Sequence, residues 1–313
     1  MHMKNIILIL FCFLQSISFA QGTKIKTYLD TKQFYAPNIG NYIEIYMQFV
    51  SYSVVFKNEG RGLRAKVLIS VDISDSTQTV FSDRYVLESP EAIDSVQDDF
   101  YEVIRVQLNP GKYSMKLNML DVYKESSEIS GVIPIQVEDL SKTIKMSDVL
   151  VAEYAYPTED QSNFTKSGYH IIPMLSSFYA TDSKNIPLYL ELYGTETIQD
   201  SSYHFSYRII NTQDATEIPG FTKSSTLTKS NVVPVFESIN IEELSSGSYQ
   251  IEFRVSTTKN EILAVQTYDF ERSNENNSMF SMENLMLDPA FQKSIPNDSV
   301  FYYLECLIPI SKP

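Results

Sequence analysis

One phrase occurs twice in this chain and limits its fold more than any other feature. Leu108-Asn-Pro-Gly111-Lys-Tyr113-Ser-Met115-Lys-Leu117-Asn-Met119 returns as Leu244-Ser-Ser-Gly247-Ser-Tyr249-Gln-Ile251-Glu-Phe253-Arg-Val255. Each copy reads as a turn, then Gly-x-Tyr, then polar/apolar alternation, the pattern of a strand with one buried face. Tyr113 and Tyr249 stand 136 positions apart, about one domain length. Other strand-like segments recur in the same order. Tyr42 to Val50 is paralleled by Asn185 to Tyr193, Lys66 to Ile73 by Tyr203 to Ile210, and Val132 to Val137 by Leu263 to Phe270. Recurrence at near-constant spacing is the mark of a duplicated unit.

The expected fold class is therefore all-β: two tandem immunoglobulin-like β-sandwich domains followed by a short helical C-terminal segment. Residues 1–20 read as a signal peptide, 23–145 as the first sandwich, 147–272 as the second, and 273–313 as a linker with an amphipathic helical segment. Lys4, the apolar run Ile6 to Leu14 and the small residue Ala20 before Gln21 fit export with cleavage between Ala20 and Gln21. The run is too short to span a bilayer, which needs about 20 residues. Cys12 follows Phe11, so the small residue that a lipoprotein signal places before its cysteine is missing. The sequence points to a periplasmic, cell-surface or extracellular protein without a membrane span.

Composition narrows the function further. There are 21 Tyr and 18 Phe but no Trp, in keeping with strands. Loss of residues 1–20 would remove one base, Lys4, and take the net charge from −14 to −15. Nucleic acid needs a basic footprint, which this balance does not supply. Cys12 would leave with the signal, so Cys306 alone remains and no intramolecular disulfide can form. Each half must then stand on its apolar core. Around Ser89-Pro90-Glu91 the proline suggests a helical cap or a turn. Ser299 to Leu307 places Val300, Tyr303, Leu304 and Leu307 on one helical face.

The repeated Gly-x-Tyr has two structural readings. In sandwiches of immunoglobulin type, a tyrosine near the start of a late strand can return its hydroxyl to upstream backbone. Tyr113 and Tyr249 are placed for that, or they simply pack. Gly111 and Gly247 would take a turn conformation that a β-carbon disfavours.

Chemistry-bearing motifs are sparse. No nucleophile elbow, phosphate loop or dinucleotide fingerprint is present. His170 and His204 are 34 positions apart without a liganding pattern. No catalytic, cofactor-binding or metal-ligating residue is assigned, and no cofactor is expected. The densest acidic stretch, Glu88, Glu91, Asp94, Asp98, Asp99 and Glu102, would suit a carboxylate pair or a calcium site, but a solvated loop explains it more simply. Tyr154, Tyr156, Tyr169, Phe178, Tyr179, Tyr189 and Tyr193 crowd the start of the second half, where exposed rings would stack on glycans or fill a protein interface.

Five segments resemble a known family. Tyr42-Ile-Glu-Ile-Tyr-Met-Gln-Phe, Asp83-Arg-Tyr-Val-Leu-Glu-Ser-Pro-Glu91, Leu108 to Tyr113, Asn185 to Gly194 and Phe301-Tyr-Tyr-Leu-Glu-Cys-Leu are similar to the amino-terminal tandem β-sandwich region of the GWxTD-domain family, exported proteins of Bacteroidota-type bacteria. The family continues into a module carrying Gly-Trp-x-Thr-Asp. A chain without tryptophan lacks that motif, so the resemblance implies a fragment or a shortened relative with a missing C-terminal partner module. It transfers no functional residue. Such bacteria O-glycosylate exported proteins at Asp-Ser/Thr followed by an apolar residue or Thr, which Ser76, Ser95 and Ser299 match. The function expected is that of a non-enzymatic cell-envelope protein presenting sandwich surfaces to a protein partner. The alternative is a glycan-binding accessory protein using tyrosines of the second half.

Overall fold

Alternation is what builds the strands. In the longest alternating run, Leu63–Ser74, every second side chain from Ala65 to Ile73 is fully buried. Two such faces, one from each of two sheets, close a core about 10 Å thick. The computed structural model describes residues 24–275 apart from Arg61, Asp94 and Ser95. These form an all-β structure of nineteen strands, with two single-turn 3₁₀ segments at Ser51–Ser53 and Thr195–Thr197 and no α-helix among the described residues.

The first half contributes β1 (Thr27–Ala36), β2 (Gly40–Phe49), β3 (Phe56–Asn58), β4 (Leu63–Ser74), β5 (Thr79–Glu88), β6 (Phe100–Gln107), β7 (Gly111–Asp121) and β8 (Lys124–Val137). One sheet runs β1-β2-β6; the other runs β4-β7-β8, with β5 and β3 both paired to β4. The second half contributes β9 (Lys145–Met146), β10 (Leu150–Pro157), β11 (Thr165–Lys166), β12 (Tyr169–Pro173), β13 (Phe178–Tyr179), β14 (Asn185–Tyr193), β15 (Ser202–Asn211), β16 (Thr216–Thr228), β17 (Val232–Asn240), β18 (Gly247–Ser256) and β19 (Ile262–Arg272). Here β10-β14-β17 repeats β1-β2-β6, and β16-β15-β18-β19 repeats β5-β4-β7-β8. The additions are β11 and β12 beside β10, β9 against β14, and β13 parallel to β19.

Each half has its own core. Ile43, Ile45 and Met47 of β2 meet Ile69 and Val71 of β4 and Leu117 of β7. Leu188, Leu190 and Leu192 of β14 meet Phe205 of β15 and Ile251 and Phe253 of β18. Each fully buried Ile, Leu or Phe contributes about 1.5–3 kcal/mol, so cores of this size hold without a crosslink. A third cluster lies between the halves. Phe34, Tyr46 and Val103 from β1, β2 and β6 pack with Leu150, Ala152, Ile171 and Tyr189 from the second half.

One expectation is narrowed and one corrected here. Of the helical cap or turn read around Ser89-Pro90-Glu91, residues 89–93 form no helix; the buried Ser89 hydroxyl accepts the Ala65 N–H at 2.9 Å and donates to the Pro90 carbonyl at 2.8 Å, tying the segment to β4. Gly111 and Gly247 do not adopt the left-handed backbone. The reason for glycine at 247 is close approach, since a Cβ there would lie 3.1–3.2 Å from the Tyr249 ring and hydroxyl, while at 111 the Tyr113 ring would be in ordinary contact. The amphipathic segment at 299–307, Cys306 and the Ala20/Gln21 junction lie outside the described residues.

Candidate functional site: the buried charge network between the halves

Strand β2 and strand β14 are each buried on both faces. Their apolar positions enter the two cores. Their other faces carry the same motif, Tyr42-Ile-Glu44-Ile-Tyr46 and Tyr189-Leu-Glu191-Leu-Tyr193, and both contribute to the contact between the halves. A glutamate at the centre of a buried face must be paired, or its desolvation would cost several kcal/mol.

Glu44 is fully buried and is met by two cations: Lys166 Nζ at 2.9 Å and Arg105 Nε at 2.6 Å, both on Oε1. The Tyr46 hydroxyl donates to its Oε2. Burial pushes the Glu44 carboxyl up, but Lys166, Tyr46 and Arg105 outweigh it and hold the group below the usual glutamate range. Burial pushes the Lys166 ammonium down, and Glu44 and Glu191 partly offset it. Lys166 Nζ lies 3.5 Å from the Phe34 ring centre and 5.7 and 5.6 Å from those of Tyr42 and Tyr189, within cation–π range. Burial, followed by the neighbouring carboxylates, drives the Tyr42 and Tyr189 hydroxyls far above the ordinary tyrosine value, so both stay protonated donors.

Glu191 is satisfied differently. Tyr189 and Tyr193 donate hydroxyls to its two carboxylate oxygens at 2.5 and 2.7 Å. Tyr193 in turn accepts the Tyr35 N–H at 3.0 Å, reaching across to the first half. Beside the chain crossing, Gln33 and Asp148 exchange two bonds: Gln33 N–H to Asp148 Oδ2 at 2.7 Å and Asp148 N–H to Gln33 O at 3.1 Å. Burial raises the Asp148 carboxyl. These two residues also line a cleft of 770 Å³ with Glu138, Lys145 and Gln266.

Lys166 comes from an insertion. β1 passes to β2 through residues 37–39, whereas β10 passes to β14 through residues 158–184, which hold β11, β12 and β13. The β11–β12 turn is Ser167-Gly168, both left-handed (φ 47° and 82°), as a two-residue hairpin requires. Gly168 supplies that conformation without a Cβ penalty.

The other residues singled out from sequence are scattered. The Tyr113 hydroxyl donates to Asn109 O at 2.8 Å and the Tyr249 hydroxyl to Ser245 O at 3.1 Å, so both tyrosines close the preceding turn. Of the acidic stretch, Glu88 pairs with Lys66, Glu91 with Arg64, and Asp99 accepts from Gln48 and the Ser51 N–H. These contacts hold β2, β4 and β5 rather than drawing the carboxylates together. His170 stacks on Tyr156 at 5.0 Å, while His204 lies on β15. No cluster of three or more metal-ligating side chains occurs among the described residues. Of the crowded aromatics, Tyr179, Tyr189 and Tyr193 are buried and Tyr169 stacks on Phe236 at 4.6 Å; Tyr154, Tyr156 and Phe178 are about half exposed. Ser76 is exposed in the turn between β4 and β5, where Asp75 Oδ1 accepts from Thr77 and Gln78. Ser95 and Ser299 lie outside the described residues. The alternation missed Glu44, Lys166, Arg105 and Glu191. The legible signal was a Tyr-x-Glu-x-Tyr motif in each of β2 and β14, although not at matching positions: the strand registers align Tyr46, the end of the first motif, with Tyr189, the start of the second.

No family model and no curated protein sequence matches the chain. Solved structures similar to it include red sea bream transglutaminase (11% identity, TM-score 0.24, 81% of this chain and 32% of that one). A glycosyl hydrolase family 2 member from Bacteroides cellulosilyticus gives 10% identity and a TM-score of 0.29 over 74% and 28%. The BSP domain of a biofilm-associated protein gives 9% and 0.23 over 83% and 53%. This chain thus spans about a third to a half of those proteins, and likeness at this level carries no argument about activity. No helix among the described residues is long and apolar enough to cross a membrane.

Proposed function

We propose that this chain is a non-catalytic, exported module of the cell envelope, made of tandem immunoglobulin-like sandwiches that present their sheets to a protein partner. The observation that carries this reading is where the ionisable groups are used. Lys166 reaches across to Glu44, Arg105 bonds both Glu44 and Asn163 O, and Glu191 holds Tyr193, whose hydroxyl accepts the Tyr35 N–H, so the fold's most elaborate electrostatics serve shape. A fixed pair of sandwiches is what a scaffold or adaptor needs. Among the described residues, edge strands β8 and β16, 14 and 13 residues long, are each paired on one side only, and unpaired strand edges accept an added strand from a partner. The resemblance to the amino-terminal region of the GWxTD-domain family belongs to this reading, as does export with cleavage after Ala20. A C-terminal module carrying that motif is the first partner to try, and the exposed Ser76 is the modification site to try first.

The test is a binding titration of the purified chain with that module, alone and after Val132→Lys or Ser130→Pro on β8. A saturable complex weakened by either substitution supports the proposal; turnover of an envelope polymer that Asp98→Asn abolishes contradicts it. The glycan reading keeps one specific support, the half-exposed Tyr154 and Tyr156 beside His170. A glycan-array signal lost in Tyr154→Ala and Tyr156→Ala would favour it instead.

A further inference from the structure

The contact between the halves contains a built ammonium site. Three rings, Phe34 and Tyr42 from the first half and Tyr189 from the second, surround Lys166 Nζ, and Glu44 closes the site at 2.9 Å. Rings with a carboxylate are the recurrent means of holding an alkylammonium. Its occupant belongs to the insertion, which has no counterpart between β1 and β2. The same hairpin makes further contacts around the site. Arg105 Nη2 donates to Asn163 O at 2.6 Å, the Ser167 hydroxyl lies 2.9 Å from that of Tyr189, and Phe164 packs on the shared cluster. Other polar links across the contact, among the described residues, do not involve Lys166: Gln33 with Asp148, Tyr35 with Tyr193, and the Tyr101 hydroxyl with Glu153 at 2.7 Å. Only residues 138–144 connect β8 to β9.

We propose that the 158–173 hairpin is a latch, with Lys166 as its bolt seated in a primary-alkylammonium site, and that withdrawing the bolt frees the relative orientation of the two sandwiches without unfolding either. With Lys166 gone, Glu44 keeps Arg105 and Tyr46, so the first half retains a paired carboxylate. The Gln33–Asp148 exchange still holds the halves near the linker. What is lost is the cation that both glutamate-bearing strands share. The latch is a property of this chain alone and does not depend on which partner the sheets take.

The experiment measures the distance between spin labels at Thr79→Cys on β5 and Ser224→Cys on β16, both exposed, in a Cys306→Ser background. The original Lys166 should give a single narrow distribution. Lys166→Gly should lose it, and propylammonium chloride should restore it while 1-propanol and sodium chloride do not. Amide exchange in β4 and β15 reports that each core stays folded. Should Lys166→Gly lose that protection, Lys166→Met, which keeps the aliphatic stem, is measured in the same way. Asp160→Asn, on the exposed part of the insertion, should change nothing. A distribution that stays narrow in a folded Lys166 variant, or equal action of propylammonium and propanol, would overturn the proposal.

Discussion

The Tyr-x-Glu-x-Tyr segments of β2 and β14 differ in how a buried carboxylate is kept. In β2, Glu44 is matched by full charges from Lys166 and Arg105. In β14, Glu191 receives two tyrosine hydroxyls. Both answers obey the rule that buried charges are paired and hydrogen-bonded. They differ in reach. Glu191 is satisfied mainly within its own strand, whereas Glu44 draws one cation from β6 and one from the other half. Corresponding strands of the two halves thus each carry a buried glutamate at a different position along the strand, and the insertion in the second half turned one of them into a fastening.

The comparison can be broken by substitution. Glu44→Ala should have the largest effect. It takes from Lys166 and Arg105 the carboxylate they share, and removing one partner of a buried pair costs about 3–5 kcal/mol, readable by urea unfolding. Glu191→Gln should cost less, about 1–3 kcal/mol, because two donors lose a charged acceptor but no cation is stranded. If the order reverses, the cationic pairing of Glu44 is not what distinguishes the two segments. Tyr249→Phe and Tyr113→Phe remove one hydroxyl-to-carbonyl bond each and should cost about 0.5–1.5 kcal/mol, the less buried Tyr113 giving the smaller value.

Acid sharpens the contrast. The folded-state value of Glu44 is depressed, so its contribution is present above the unfolded value of about 4.3 and is lost as pH falls through the folded value. The stability difference between the parent chain and Glu44→Gln should therefore shrink steadily below about pH 4. Asp148, raised by burial, works in the opposite direction. Being present in both proteins, it cancels from the difference. A difference independent of pH would mean that Glu44 is not ionised in the folded protein.

Much of the sandwich was legible because alternation reports a single buried face. β4, β7, β15 and β18 lie where the period-two pattern puts them, and the repeated Gly-x-Tyr marks the same corner in both halves. β1 (TYLDTKQFYA) was not legible, because it alternates weakly and packs against the other half. β16 escaped because it is an edge strand whose side chains are mostly exposed. The network was hidden for a related reason. In a half-buried strand, a polar residue opposite the apolar face reads as solvent-facing, so Glu44 and Glu191 looked like surface. Only the packing of one sheet's outer face on the other half changes that meaning, and no period in the sequence carries it. Lys166 was less legible still, lying in a two-residue strand of an unrepeated insertion.

The central claim is that a shared buried network makes the two halves one cooperative body. Calorimetry of the parent chain and of Glu44→Ala tests it most directly. The account predicts one transition in the parent, with calorimetric and van't Hoff enthalpies equal, and two separate transitions once Glu44 is gone. Two independent transitions already in the parent would contradict it.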